Sequence, residues 1–176
     1  MTETKDWVFI FPIIAAVILL ISLIFPLIGI SFYYEFIIDP EITLDLMPFG
    51  GILDELDPYI GSVPEAEGVR NTLLGISIGF AILFILGAVL LIISGIRVKT
   101  GSKELKKARR KWLRNGLSYI ITELALFFGL VIGIPIALEQ ADIALEMGFI
   151  MRTGMILIIV AGGVLILAYI LAKIAD

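Results

Sequence analysis

One acid, Glu123, interrupts the otherwise uncharged stretch from Asn115 to Leu138. A lone carboxyl in so apolar a run has two chemical uses. It can take up and release a proton or a cation along a translocation path, or it can stay neutral and hydrogen bond between helices. Counted from Arg114 to Glu139, Glu123 lies within about 5 Å of the middle of the run at the rise of a helix. An acid at that depth costs roughly 2.5–3.5 kcal/mol to insert, so it is expected to face protein. No base sits at its depth. The predicted neighbours are Tyr169, Lys173 one turn beyond it and able to reach back along its aliphatic stem, and Ser22.

The rest of the chemical inventory is thin. The chain has no histidine and no cysteine, which removes the usual general base near neutral pH, the commonest metal ligands and any thiol nucleophile. Gly75-Ile76-Ser77-Ile78-Gly79 matches the spelling of a hydrolase nucleophile elbow. That motif requires a strand-to-helix turn and a histidine partner, so the match is accidental. The acidic run Asp54-Glu55-Leu56-Asp57 lacks the alternating oxygen ligands and central glycine of a calcium loop. No catalytic centre, metal or cofactor is expected.

These residues sit in a chain that is 60% hydrophobic with a mean hydropathy of +1.08, against about 45–50% apolar in an ordinary soluble domain. The apolar residues form four blocks, each above the minimum of about 17 residues for a crossing. They run from Trp7 to Tyr34, Asn71 to Ile96, Asn115 to Leu138 and Thr153 to Ala172. Backbone groups in lipid must be satisfied within the segment, so the expected fold is all-α, a four-helix transmembrane bundle. Pro26 should kink the outer third of the first span, because it lacks the N–H of a helical bond. The first block has neither a basic leader before it nor an Ala-x-Ala exit after it, so it is read as a retained anchor.

Loop charges predict orientation. Arg97 to Arg114 holds nine bases against one acid, Glu104, whereas Glu35 to Arg70 holds nine acids against one base. The positive-inside rule puts the first in the cytoplasm and the second outside, with both termini cytoplasmic. Glu139 to Arg152 adds three acids and one base on the outer side. The net charge of −4 is therefore a near-cancellation of two opposite faces. A helix capped by Ser102 should continue through Leu105, Ala108, Trp112 and Leu113 into the third span. Its bases Lys103, Lys106, Lys107, Arg109, Arg110 and Lys111 serve as a topology signal and as contacts for anionic lipid. No nucleic-acid partner is expected.

The first outer loop is too long for a simple turn. Phe36-Ile37-Ile38 and Ile42-Thr43-Leu44 flank Asp39-Pro40-Glu41 as a candidate hairpin, and apolar residues recur at helical spacing from Pro48 to Gly61. Both suggest a small folded cap whose acids and apolar residues, Met47, Phe49 and Tyr59 among them, dock another protein. Arg70 and Arg152, at the outer starts of two spans, are expected to pair with acids such as Glu65, Glu67 or Glu146.

Glycine recurs in three spans, at Gly75, Gly79, Gly87 and Gly95, at Gly129 and Gly133, and at Gly154, Gly162 and Gly163. Gly75 with Gly79 and Gly129 with Gly133 have the small-xxx-small spacing that lets helices approach closely in lipid. The partner helices belong either to this chain or to another subunit. The layout of long first loop, short second loop and inner termini is similar to animal tetraspan proteins of the claudin type. Their Trp-Gly-Leu-Trp and paired-cysteine signature is missing, so nothing is carried over. The chain is expected to be a non-catalytic accessory, scaffold or assembly subunit working with other membrane subunits or copies of itself. The alternative is a small oligomeric channel or proton-coupled carrier using Glu123.

Overall fold

A computed structural model describes residues 7–33, 41–46, 64–101, 104–140 and 146–175. The predicted helix between Pro48 and Gly61, together with Ser102 and Lys103, lies outside the described residues. Within them are four helices and three strands in the order α1 (Ile10–Ser22), β1 (Ile28–Tyr33), β2 (Glu41–Leu46), α2 (Pro64–Lys99), α3 (Leu105–Gln140), β3 (Glu146–Met151) and α4 (Thr153–Ala175). The protein is mostly helical, and three helices are long and apolar enough to cross a membrane: α2 over Ile78–Lys99, α3 over Leu105–Gly133 and α4 over Thr153–Ala175.

The first apolar block departs from a single helix, and the chain from all-α. Helix α1 has 13 residues and ends at Ser22. Its last turn tightens through bonds from the N–H groups of Leu23, Ile24 and Phe25 to the carbonyls of Leu20, Ile21 and Ser22. Pro26 follows with no N–H to donate and with a ring that excludes the helical conformation from the residue before it. It terminates the helix where a kink was expected. Beyond it, the chain alternates large apolar with small residues from Ile28 to Phe32, and Ile28–Tyr33 becomes the central strand of an antiparallel sheet, order β2-β1-β3. Ser31 stands opposite Thr43 on one side and Gly148 on the other. Of the predicted hairpin, Ile42-Thr43-Leu44 lies within β2 and pairs with Ile28–Tyr33, whereas Phe36-Ile37-Ile38 lies outside the described residues.

The bond from the Arg152 N–H to the Leu27 carbonyl (3.0 Å) and that from Gly154 to Pro26 (2.9 Å) join the sheet to the helices. They tie the end of α1 to the start of α4. The opposite end of the bundle carries the bases between Arg97 and Arg114. We call the two ends the sheet end and the basic end.

Around the bundle, α2 packs on α1, α1 on α4 and α4 on α3, while α3 and α2 meet more sparsely. Small residues permit the close pairs. On α4 the buried face is Gly154, Met155, Ile158, Ala161, Gly162, Leu165, Ala168, Ala172 and Ala175, a helical stripe rich in glycine and alanine. It meets Ala15, Ala16 and Leu19 of α1 in the core. Of the apolar window, 39% is buried in α4 but only 11% in α3, so α4 is central and α3 peripheral. The outward faces are apolar, with Leu83, Leu90, Ile121 and Ile174 each more than 60% exposed, a surface that water does not tolerate and lipid does.

Candidate functional site

Glu123 lies on the buried face of α3 with Ala108, Trp112 and Gly116. The spacing of four, four and seven residues keeps them on one side of the helix. Glu123 is 1% exposed and Ser22 fully buried; among the described residues these are the buried polar side chains. Neither carboxyl oxygen of Glu123 has a hydrogen-bond partner among the described residues. The Ser22 hydroxyl donates to the Leu19 carbonyl of its own helix at 2.7 Å.

Close contacts fix which residues share the level of Glu123. On α4, Arg109 donates to the Ala172 carbonyl at 3.4 Å, and Gly116 and Ile120 abut Gly162. A step along α3 toward the sheet end is thus an equal step back along α4, which brings Glu123 level with Ile158. On α2, Trp112 bonds Ser94 and Tyr119 abuts Gly87, which brings it level with Phe84. On α1, Gly154 abuts the carbonyls of Ser22 and Phe25, so Leu19 and Ser22 complete the cross-section. Among the described residues, the side chains brought level with Glu123 on the other helices are apolar apart from Ser22.

Of the three predicted partners, only Ser22 stands near this level. Tyr169 and Lys173 lie 11 and 15 residues beyond Ile158 along α4, about 17 and 22 Å toward the basic end at 1.5 Å per residue, and Lys173 is exposed. The depth also changes. Ile158 is six residues from the middle of α4 (Thr153–Ala175), so Glu123 sits about 9 Å toward the sheet end from that middle. The count from Arg114 to Glu139 misses this because α3 begins at Leu105, and its sheet-end part continues past the start of α4.

The glycines divide into two groups. A side chain at Gly162 would meet Ile120 at 2.7 Å and the Gly116 carbonyl at 2.8 Å, and one at Gly87 would meet the Tyr119 hydroxyl. Gly95 against Phe9, Gly116 against Gly162 and Gly154 against α1 are equally tight. These are the seams within the chain, and Gly116, an isolated glycine with no small-xxx-small partner, was not anticipated. By contrast, Gly75, Gly79, Gly129, Gly133 and Gly163 are exposed, and nothing lies within 4 Å of an added Cβ. The two small-xxx-small pairs do not pack against described residues of this chain. At about 100° per residue, Gly75 and Gly79 fall on the side of α2 beyond Gly87, away from the α1-facing Gly95. Gly129 and Gly133 fall on the side of α3 beyond Tyr119, away from the α4-facing Ile120. Both pairs therefore flank the loosely packed α2–α3 side at the sheet end, at matching levels.

At the basic end, Lys106, Arg110 and Lys111 are exposed. Lys107 pairs with Glu104 at 3.2 Å on the surface, and the Lys99 ammonium lies 5.0 Å from the centre of the Phe9 ring. Arg109 at the last carbonyls of α4 complements the negative end of that helix. Of the two outer cations singled out from the sequence, the side chain of Arg70 lies outside what is described, and Arg152 is half-buried at the sheet end, where its guanidinium crosses Gly29 of β1; an added Cβ there would lie 2.6 Å from Arg152 Nε.

Compared with protein families, curated proteins and solved structures, the chain shows no match to any of them.

Proposed function

We propose that this protein is a non-catalytic membrane subunit with four crossings, an accessory or assembly component that receives a helix of another membrane subunit, or of a second copy, along its α2–α3 flank. The observation that carries this reading is the pair of small-residue seams, Gly75 with Gly79 and Gly129 with Gly133, side by side on the outside of the bundle and open. In lipid, association depends on close packing and not on hydrophobic expulsion, so exposed glycines at this spacing favour a helix partner. The fourth crossing is α1. Its helix is short, but the chain from Phe9, beside Gly95, to Pro26, beside Gly154, accompanies its neighbours for about 26 Å at helical rise. The basic loop and both termini then face the cytoplasm, and the sheet and the acidic first loop lie on the outer side.

The test is native mass spectrometry of gently extracted protein. Wild type should retain a partner, which Gly79→Leu with Gly133→Leu should release while the chain stays folded. A wild type that runs alone, or a variant that keeps its partner, contradicts the proposal.

A second reading rests on Glu123, whose buried and unpartnered carboxyl is the kind of group a proton-coupled carrier uses. Among the described residues, the Ser22 hydroxyl at its level is engaged by the Leu19 carbonyl. Proton flux in proteoliposomes that Glu123→Gln abolishes would favour this reading; absent or unaltered flux removes it.

A further inference from the structure

The loosely packed α2–α3 side opens, at the basic end, into a cleft of about 210 Å³. Its polar lining is Ser94 and Arg97 from α2, and Lys111, Arg114 and Asn115 from α3. No acid is among the lining residues. The apolar lining is Leu90, Leu91, Ile93 and Trp112. The three cations are staggered in depth. By the register that sets Trp112 beside Ser94, Lys111 stands near residue 95 of α2 and Arg114 near residue 92. Arg97 to Arg114 thus spans about 7 Å along the bundle, with Ile93 and Trp112 at the level of the cations and Leu91 and Leu90 about 2–3 Å further in. Trp112, fully buried, forms part of the floor, with its indole N–H held by Ser94 at 3.1 Å.

We propose that this cleft is a binding site for one anionic membrane lipid, its phosphate between Arg97, Lys111 and Arg114 and the upper part of an acyl chain against Leu90 and Leu91, close to the buried Trp112. Arginine and lysine recognise phosphate oxygens through charge-assisted hydrogen bonds. A notch with cations at the mouth and leucines beneath is complementary to an amphiphile lying parallel to the helices, which a freely soluble phosphate would fill only in part. The site is distinct from the general attraction of the basic loop for the membrane surface, because it uses Arg97 and Arg114 and a recessed wall. It stands whether or not the α2–α3 flank carries a partner helix.

The two tryptophans are Trp7 and Trp112, so Trp7→Phe leaves Trp112 as the sole indole, inside the proposed site. The full chain is reconstituted in phosphatidylcholine vesicles containing a minor share of either phosphatidylglycerol or phosphatidylcholine brominated near the head of the acyl chain. Quenching of Trp112 should favour the anionic bromolipid. Each base replaced in Arg97→Gln, Lys111→Gln and Arg114→Gln should lower that preference about fivefold, as expected for one charge near the surface. Lys106→Gln with Lys107→Gln and Arg110→Gln, outside the cleft, should lower it far less. An unchanged emission maximum and helix content show that the variants are folded. Equal quenching by both lipids, a preference that survives loss of the cleft bases but not of the loop bases, or a preference erased by excess inorganic phosphate would each overturn the proposal.

Discussion

Alanine at Gly162 should loosen the bundle, whereas alanine at Gly129 should leave it intact, although the two changes are chemically identical. At Gly162 the new methyl would lie 2.7 Å from a carbon of Ile120 and 2.8 Å from the Gly116 carbonyl oxygen, against 3.4 Å where ordinary contact begins. Ile120 can rotate. The carbonyl cannot, so α3 and α4 must separate by the missing 0.6 Å. Overpacking of this size costs about 1–3 kcal/mol. At Gly129 the methyl meets nothing within 4 Å, and a surface change of this kind shifts stability by less than about 0.5 kcal/mol. Both glycines lie inside long helices, so the gain in helix propensity from glycine to alanine, about 1 kcal/mol in water, is common to both and cancels in their difference. The assay is reversible unfolding of the separated chain in mixed micelles, followed by helical circular dichroism. The expected result is a gap of about 1–3 kcal/mol between the two variants, Gly162→Ala being the weaker. Equal stabilities would refute the close approach of α3 and α4, and a larger loss at Gly129 would refute the outward placement of its seam.

Other outcomes follow from the same contacts. Glu123→Leu replaces a buried acid that has no described partner, and should stabilise the separated chain by about 1–3 kcal/mol in the same assay; a loss would reveal a partner for the carboxyl. Trp112→Phe removes the hydrogen bond to Ser94 and should cost about 1 kcal/mol beyond the altered packing. Combined with Ser94→Ala in a double-mutant cycle, the two losses should be less than additive. Because the chain contains no cysteine, Ser31→Cys with Gly148→Cys gives a clean test of the sheet. These positions face each other in register and should crosslink on mild oxidation, whereas Ser31→Cys with Phe149→Cys, one residue out of register, should not.

What the sequence makes legible follows from which physical signals are local. The helix running from Leu105 through Trp112 to Gln140 shows in the apolar residues that recur from the basic loop into the third span. The burial of Glu123 follows from the cost of an acid in hydrocarbon. The strand at Ile28–Tyr33 is hidden because its isoleucines and aromatics extend the hydropathy of α1 without a break. Only Pro26 and the small residues Gly29 and Ser31 mark the change, and one of the two strands that pair with it, Glu146–Met151, lies more than a hundred residues away. The glycine spacing identifies surfaces that can pack closely but carries no information on helix rotation. Gly75, Gly79, Gly129 and Gly133 therefore proved open, while the isolated Gly116 is tight. The neighbours of Glu123 depend on the offset between α3 and α4. That offset shows in the contact of Gly116 and Ile120 with Gly162 and in the bond from Arg109 to the Ala172 carbonyl, again long-range contacts.

The most direct test of the proposed assembly role is photo-crosslinking in the native membrane, with a photoreactive side chain placed in turn at Gly79, Gly129, Ile121 and Ile174. All four positions are exposed, and only the first two lie on the α2–α3 flank. Adducts of one defined protein mass from Gly79 and Gly129, with lipid adducts alone from Ile121 and Ile174, are the expected result. Protein adducts at all four positions alike, or at none, would contradict it.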